Sequence, residues 1–122
     1  MSGIAAGIER FLDHLAVERQ ASPHTLSNYR RDLMAWQDYC RQQDIDDPEQ
    51  LQFAHIQQFM AQEHRRGLSA KSVQRRLSAL RSQFKFLMKR GELRNDPSTG
   101  LRAPKAARKL PQVLDVDEAV RL

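Results

Sequence analysis

Apolar residues recur at spacings of three and four along most of this 122-residue chain, and that periodicity constrains the fold more than any other feature. Alternating β-branched runs, which would indicate strands, do not occur before Val113. The sequence therefore predicts an all-α fold. A first helix is expected over about residues 3–19, with an apolar face formed by Ile4, Ile8, Phe11, Leu12 and Leu15.

Serine, proline and glycine mark the boundaries of three further helices. Ser22 can cap a second helix that runs to about Arg41, and the acidic stretch 44–49 then predicts a loop. A third helix is expected over roughly residues 54–65, and Ser69 caps a fourth that ends at Gly91. The inner face of the second helix should carry Leu26, Tyr29, Leu33, Trp36 and Cys40.

The sequence changes character after the fourth helix. Residues 95–98 predict a turn, and the stretch from residue 100 to 111 contains two prolines, a glycine and four basic residues. We therefore expect a helical domain over residues 1–99 and a basic linker over residues 100–112. Residues 113–122 are expected to begin a second domain that this chain truncates.

The composition indicates one soluble domain. Charged residues make up 29%, and no apolar run approaches the roughly 18 residues that a membrane span needs. The first residues do not form a secretory signal, so a cytoplasmic location is expected. The single cysteine, Cys40, falls on an apolar helical position, which indicates a packing role in a reducing compartment.

Positive charge is concentrated in one segment. Residues 63–109 contain fourteen Lys or Arg and three Asp or Glu, whereas residues 1–62 have a net charge of −4 and residues 110–122 of −2. The overall charge of +5 conceals this segregation. Such a local surplus favours a polyanionic partner, with nucleic acid the first candidate.

A helical wheel separates an apolar from a cationic face on the fourth helix. Its apolar stripe comprises Val73, Leu77, Leu80, Phe84, Leu87 and Met88. Lys71, Arg75 and Lys85 project about 120–180° away from that stripe, and Gln74 and Arg81 lie near the border. The alternative is the ordinary solvated face of an amphipathic helix.

The fourth helix lacks acidic residues of its own. No Asp or Glu occurs between Lys71 and Arg90, so the helix repels itself unless an external anion neutralises it. Arg76 is expected to snorkel outward from the edge of the core. On the second helix, His24, Asn28 and Arg31 face outward near the N-terminus, where short polar side chains and arginine suit contacts with a DNA groove.

Motifs of catalysis and of cofactor binding are absent from the sequence. The five glycines are scattered, and the four histidines are never three or four residues apart. No cofactor or metal is therefore expected. Tyr29 lies on the inner face of its helix and Tyr39 has no basic cluster beside it in sequence, so neither is expected to be a nucleophile. Trp36 is interpreted as a core residue.

Three motifs resemble a known family. They are Thr25-x3-Tyr29-x2-Asp32-Leu33-x2-Trp36, Leu77-Ser78-Ala79-Leu80-Arg81-x2-Phe84-x-Phe86-Leu87, and Asn95-Asp96-Pro97 with the later Pro104-Lys105 and Leu110-Pro111-x2-Leu114. In order and spacing they resemble the N-terminal core-binding domain of tyrosine recombinases of the phage-integrase family. Within it, the segments 17–23, 91–93 and 103–117 are most similar to the bacterial recombinases that resolve chromosome dimers at cell division.

The resemblance implies a SAM-like four-helix domain that covers one face of a DNA half-site. Its second and fourth helices would lie against the duplex, and the full-length enzyme would cut and rejoin DNA without metal or nucleotide, together with a related recombinase in a DNA-bound heterotetramer. The catalytic residues would belong to a domain that this chain lacks, so the fragment should be inactive alone. The DNA-binding residues implied are His24, Asn28, Arg31, Lys71, Gln74, Arg75, Arg81 and Lys85.

Two other functions remain open from the residues alone. One is a helical protein-interaction module whose basic surface docks on an acidic partner. The other is an RNA-binding module, although few aromatic residues are available for stacking on single-stranded bases. Another branch of the same recombinase family, such as a phage integrase, is a further alternative.

Overall fold

A computed structural model describes residues 3–99, and these residues form four α-helices and one short 3-10 helix. The helices are α1 (Gly3–Val17), α2 (Pro23–Gln42), α3 (Phe53–Arg65) and α4 (Ala70–Lys89), with the 3-10 helix Pro48–Gln50 between α2 and α3. The described residues contain no strand, so the predicted all-α class is confirmed. The expected linker and the start of a second domain, residues 100–122, lie outside the described residues.

The helix boundaries follow the capping residues. Ser22 accepts a hydrogen bond from the backbone amide of Thr25, and Ser69 accepts one from the amide of Ser72, each at 3.1 Å. Both caps satisfy amides that a helix N-terminus leaves without an intrahelical partner. The first helix ends at Val17, two residues before the predicted end, and the predicted loop 44–49 contains the start of the 3-10 helix.

The core is centred on Trp36, which is 1% exposed. Its ring lies 5.7 Å from that of Tyr39, 5.2 Å from Phe59 and 6.2 Å from Phe84, so one side chain joins α2, α3 and α4. Aromatic pairs at such separations contribute beyond simple burial of apolar area. The predictions that Trp36 and Cys40 belong to the core are confirmed.

Helices α2 and α4 run antiparallel to each other. Near the start of α2, Thr25 lines a cleft with Ser82 and Lys85, whereas further along the helix Asp32 bonds to Arg75. Helix α1 packs against both, and α3 packs against α4. This arrangement places the polar first half of α2 beside the outer face of α4.

The apolar stripe predicted for α4 is correct in its centre and wrong at one edge. Val73, Leu77 and Phe84 are fully or almost fully buried, but Met88 is 38% exposed. Met88 lies about 60° from the centre of the stripe and in the last turn of the helix.

None of the helices in residues 3–99 combines the length and the apolar character needed to cross a bilayer.

Two glycines with positive φ follow α3 and α4. Replacing either one by alanine tests the strain of the backbone conformation alone, without a steric clash. Gly67 has a φ of 107° and Gly91 a φ of 75°, and a Cβ on either would meet no atom within 4 Å. A φ of 75° is near the left-handed well, whereas 107° is well beyond it. We expect Gly91→Ala to lower the free energy of unfolding by about 1 kcal/mol and Gly67→Ala to lower it further.

Urea unfolding followed by the fluorescence of Trp36, the single tryptophan, measures both changes. Equal costs for the two variants, or a larger cost at Gly91, would contradict the assignment of strain to the backbone angle.

The buried thiol of Cys40 should report opening of the core. Burial raises its pKa to about 12, and the side chain is 1% exposed. At pH 8 the thiol is therefore protonated as well as shielded, and only a thiolate reacts readily with a disulfide reagent. We expect labelling by such a reagent to be slow in native buffer and complete within the mixing time in denaturant; fast native labelling would contradict the burial.

Candidate nucleic-acid interface

Six of the eight predicted DNA-binding residues lie on one surface of α2 and α4: His24, Asn28, Arg31, Lys71, Arg75 and Lys85. His24, Asn28 and Arg31 follow one another at helical spacing on α2, and the exposed side of α4 lies beside them. A groove of about 210 Å³ between the helices is lined by Asn28 and Arg75 together with Thr25, Tyr29, Asp32, Ser78 and Ala79. We call the surface formed by His24, Asn28, Arg31, Lys71, Arg75, Ser78 and Lys85 the α2–α4 face.

A buried carboxylate connects the two helices beneath this face. Asp32 of α2 is 2% exposed, and Arg75 donates to it from both Nε and Nη2 at 3.1 Å. Arg76 donates from Nε to the same carboxylate at 3.0 Å. Three charge-assisted hydrogen bonds therefore satisfy one buried acid.

The network extends to α3 through a second carboxylate. Arg76 also donates from Nη1 to Glu63, whose residue is 7% exposed, and Glu63 lies 3.5 Å from the guanidinium of Arg66 at the surface. Asp32, Glu63, Arg75 and Arg76 thus bring together two acids and two arginines from three helices. Their formal charges cancel.

The prediction for Arg76 was wrong. This side chain does not snorkel outward; it is 12% exposed and lies between the two buried acids. The expectation that α4 needs an external anion was also incomplete, because α2 and α3 supply carboxylates that a wheel of α4 alone does not include. A sequence signal existed, since Asp32 lies one helical turn from Tyr29 and from Trp36 at the border of the inner face of α2, where a buried acid requires a partner.

Arg75 differs from Arg76 in its exposure. Its side chain is 43% exposed, although two of its nitrogens bond to Asp32. The hydrogen bond to Asp32 raises the pKa of Arg75, so the guanidinium remains charged. Arg75 therefore presents a cation that is both anchored below and open to the groove above.

The lysines of the α2–α4 face are less constrained. Lys71 and Lys85 are exposed, and within residues 3–99 neither forms an ion pair. Arg31 donates to the side-chain oxygen of Asn28, which holds these two polar groups of α2 together. Lys85 also lines a wider cleft of about 650 Å³ between α1, α2 and α4, next to Tyr29.

Two predicted site residues lie away from this face. Arg81 is half-buried and donates to the side chain and to the backbone carbonyl of Ser98, each at 3.4 Å. It stands about 120° around α4 from Arg75. Gln74 is half-buried on the same flank as Arg81. Contact of all eight predicted residues with DNA stays a prediction.

The sequence of the helical bundle matches a known domain. Residues 8–91 correspond to the phage integrase N-terminal SAM-like domain. The chain belongs to this family. No solved structure gives a significant match.

Several curated relatives have the same name, tyrosine recombinase XerC. The protein from Xanthomonas axonopodis pv. citri (strain 306) is 56% identical over 96% of this chain, and the one from Xylella fastidiosa (strain M23) is 53% identical over 93%. That of Pseudomonas putida (strain F1) is 44% identical over 94%. The alignments include 42%, 38% and 38% of these relatives, so the chain spans about two fifths of their length.

The two arginines on Asp32 should differ in their effect on stability. Arg76→Met preserves side-chain length but leaves Glu63 and Asp32 each without a buried partner, so we expect it to lower the free energy of unfolding by about 3 kcal/mol. Arg75→Met removes a half-exposed partner, and Asp32 keeps Arg76, so about 1 kcal/mol is expected. Urea unfolding measures both; an equal or larger loss at Arg75 would contradict the burial difference.

Proposed function

We propose that this chain is the N-terminal DNA-binding domain of a XerC-like site-specific tyrosine recombinase. The α2–α4 face carries the proposal, because exposed cations without acidic partners border a polar groove between two helices. Membership of the phage integrase family and the similarity to recombinases named XerC support the same function.

The full-length protein in this proposal cuts and rejoins DNA to resolve chromosome dimers in the cytoplasm at cell division. It acts with a XerD-like recombinase in a heterotetramer that assembles on DNA, and it uses neither metal nor nucleotide. The catalytic residues belong to the part of the relatives that this chain does not match, so the 122-residue chain binds a half-site and catalyses nothing.

Binding rests on two kinds of contact. Lys71 and Lys85 are exposed cations that neutralise phosphates, and each phosphate contact releases counterions and so strengthens binding most at low salt. The start of α2 adds a helix N-terminus, where free amides attract phosphate, next to the exposed His24. Residues Asn28 and Arg75 then face the groove edges of the bases.

A salt titration tests the proposal. If about five phosphates are neutralised, the slope of log K against log salt for a 30-base-pair duplex should be about −4 to −5. Replacing both Lys71 and Lys85 by Ala should make the slope less steep by about 2, because two phosphate contacts are lost. Fluorescence anisotropy with a labelled duplex measures both slopes.

The matched control is Arg41→Ala. Arg41 is also on α2, but its side chain is 70% exposed at the far end of the helix, where it pairs with Asp38. This variant should bind as the wild type does. Three outcomes would count against the proposed function: a flat salt response, a loss of affinity in Arg41→Ala equal to that of the lysine variant, or stronger competition by duplex RNA than by duplex DNA. Binding to a protein partner that survives the lysine substitutions would favour a protein-interaction module.

A further inference from the structure

The guanidinium of Arg75 has one edge occupied and one edge open. Its Nε and Nη2 atoms both donate to Asp32, which uses the side edge of the planar group. A guanidinium has five N–H donors in a fixed fork, so Nη1 and the second hydrogen of Nη2 remain. Among residues 3–99, Asp32 is the only hydrogen-bond partner of Arg75, and the open edge belongs to a side chain that lines the α2–α4 groove.

We infer that Asp32 is a positioning residue that holds Arg75 as a specificity-determining contact to the edge of a guanine in the major groove. The inference rests on the proposed function, since it names the DNA base that one residue of the α2–α4 face contacts. The open edge of Arg75 presents two parallel N–H donors, and guanine O6 and N7 are two acceptors at matching separation.

Charge favours a base over a phosphate as the target of Arg75. The charge of Arg75 is offset by its ion pair with the buried Asp32, whereas Lys71 and Lys85 form no ion pair within residues 3–99. Long-range attraction of a phosphate depends on net charge, and Lys71 and Lys85 supply that charge instead. A directional donor pair on a guanidinium whose charge Asp32 offsets is suited to reading hydrogen-bond acceptors.

Anchoring also explains why arginine, and not lysine, stands at this position. A bidentate bond to a 2% exposed carboxylate fixes the plane of the guanidinium before DNA arrives. A preorganised contact loses less conformational freedom on binding, and it penalises a base whose acceptors are misplaced. The nearby Thr25, Asn28 and Ser78 add short polar side chains to the same groove.

The experiment compares two duplexes with the 122-residue chain. One is selected by the wild-type chain from a randomised 30-base-pair library, and the other has the same composition in shuffled order. Arg75→Lys keeps the positive charge but loses the two parallel N–H donors of the guanidinium. We expect it to reduce the preference for the selected duplex on the order of tenfold, with unchanged affinity for the shuffled duplex and an unchanged salt slope.

Asp32→Asn should act in the same direction, because Arg75 keeps its charge and loses its anchor. The Nε–H signal of Arg75 in a ¹⁵N-labelled sample gives a separate readout: its exchange with water should be slow in the wild type and at least tenfold faster in Asp32→Asn. If Asp32→Asn does not fold, Arg75→Lys carries the test, since Arg75 is half-exposed and Asp32 retains Arg76. Lys85→Ala is the control and should weaken both duplexes equally, leaving the preference unchanged.

The outcomes separate the two proposals. No binding of either duplex by the wild type overturns the proposed function itself. Wild-type binding without any selected sequence, or a preference that Arg75→Lys leaves intact, overturns the inference and leaves the proposed function standing. If Arg75→Lys weakens binding to both duplexes equally and reduces the salt slope by about 1, Arg75 contacts a phosphate, and the inference is overturned.

Discussion

The fold depends on a buried acid that joins helices distant in sequence. Asp32 accepts hydrogen bonds from Arg75 and Arg76, and Arg76 continues to Glu63, so a chain of ion pairs connects α2, α4 and α3. Buried ion pairs contribute little net stability against an apolar alternative, but breaking one is costly. In another register of the helices, a buried charge of this network would lose its partner.

The same network also organises the surface. Because Asp32 fixes Arg75 at the rim and Arg76 in the interior, two adjacent arginines have opposite environments. The lysines of α4 are exposed and form no ion pair in the described part of the chain. One helix thus combines an anchored cation with cations that have no acidic partner.

Local signals predicted most of the fold. Ser22 and Ser69 cap their helices as expected because a capping bond involves residues three apart, and Trp36 is buried because its helix has a clear apolar stripe. The errors involve contacts between distant residues. A helical wheel places Arg76 at the edge of the core but contains no information on Asp32 or Glu63, which approach from other helices. The contact between Arg81 and Ser98 was likewise not predicted, because the two residues are seventeen apart in sequence; contact of Arg81 with DNA stays a prediction.

The contact between Arg81 and Ser98 bears on how the chain leaves the bundle. Ser98 is completely buried, its backbone amide and hydroxyl both donate to Asp96, and Arg81 contacts it from α4. Residues 96–98 are therefore bonded to one another and to α4, rather than forming a loose end after the helix.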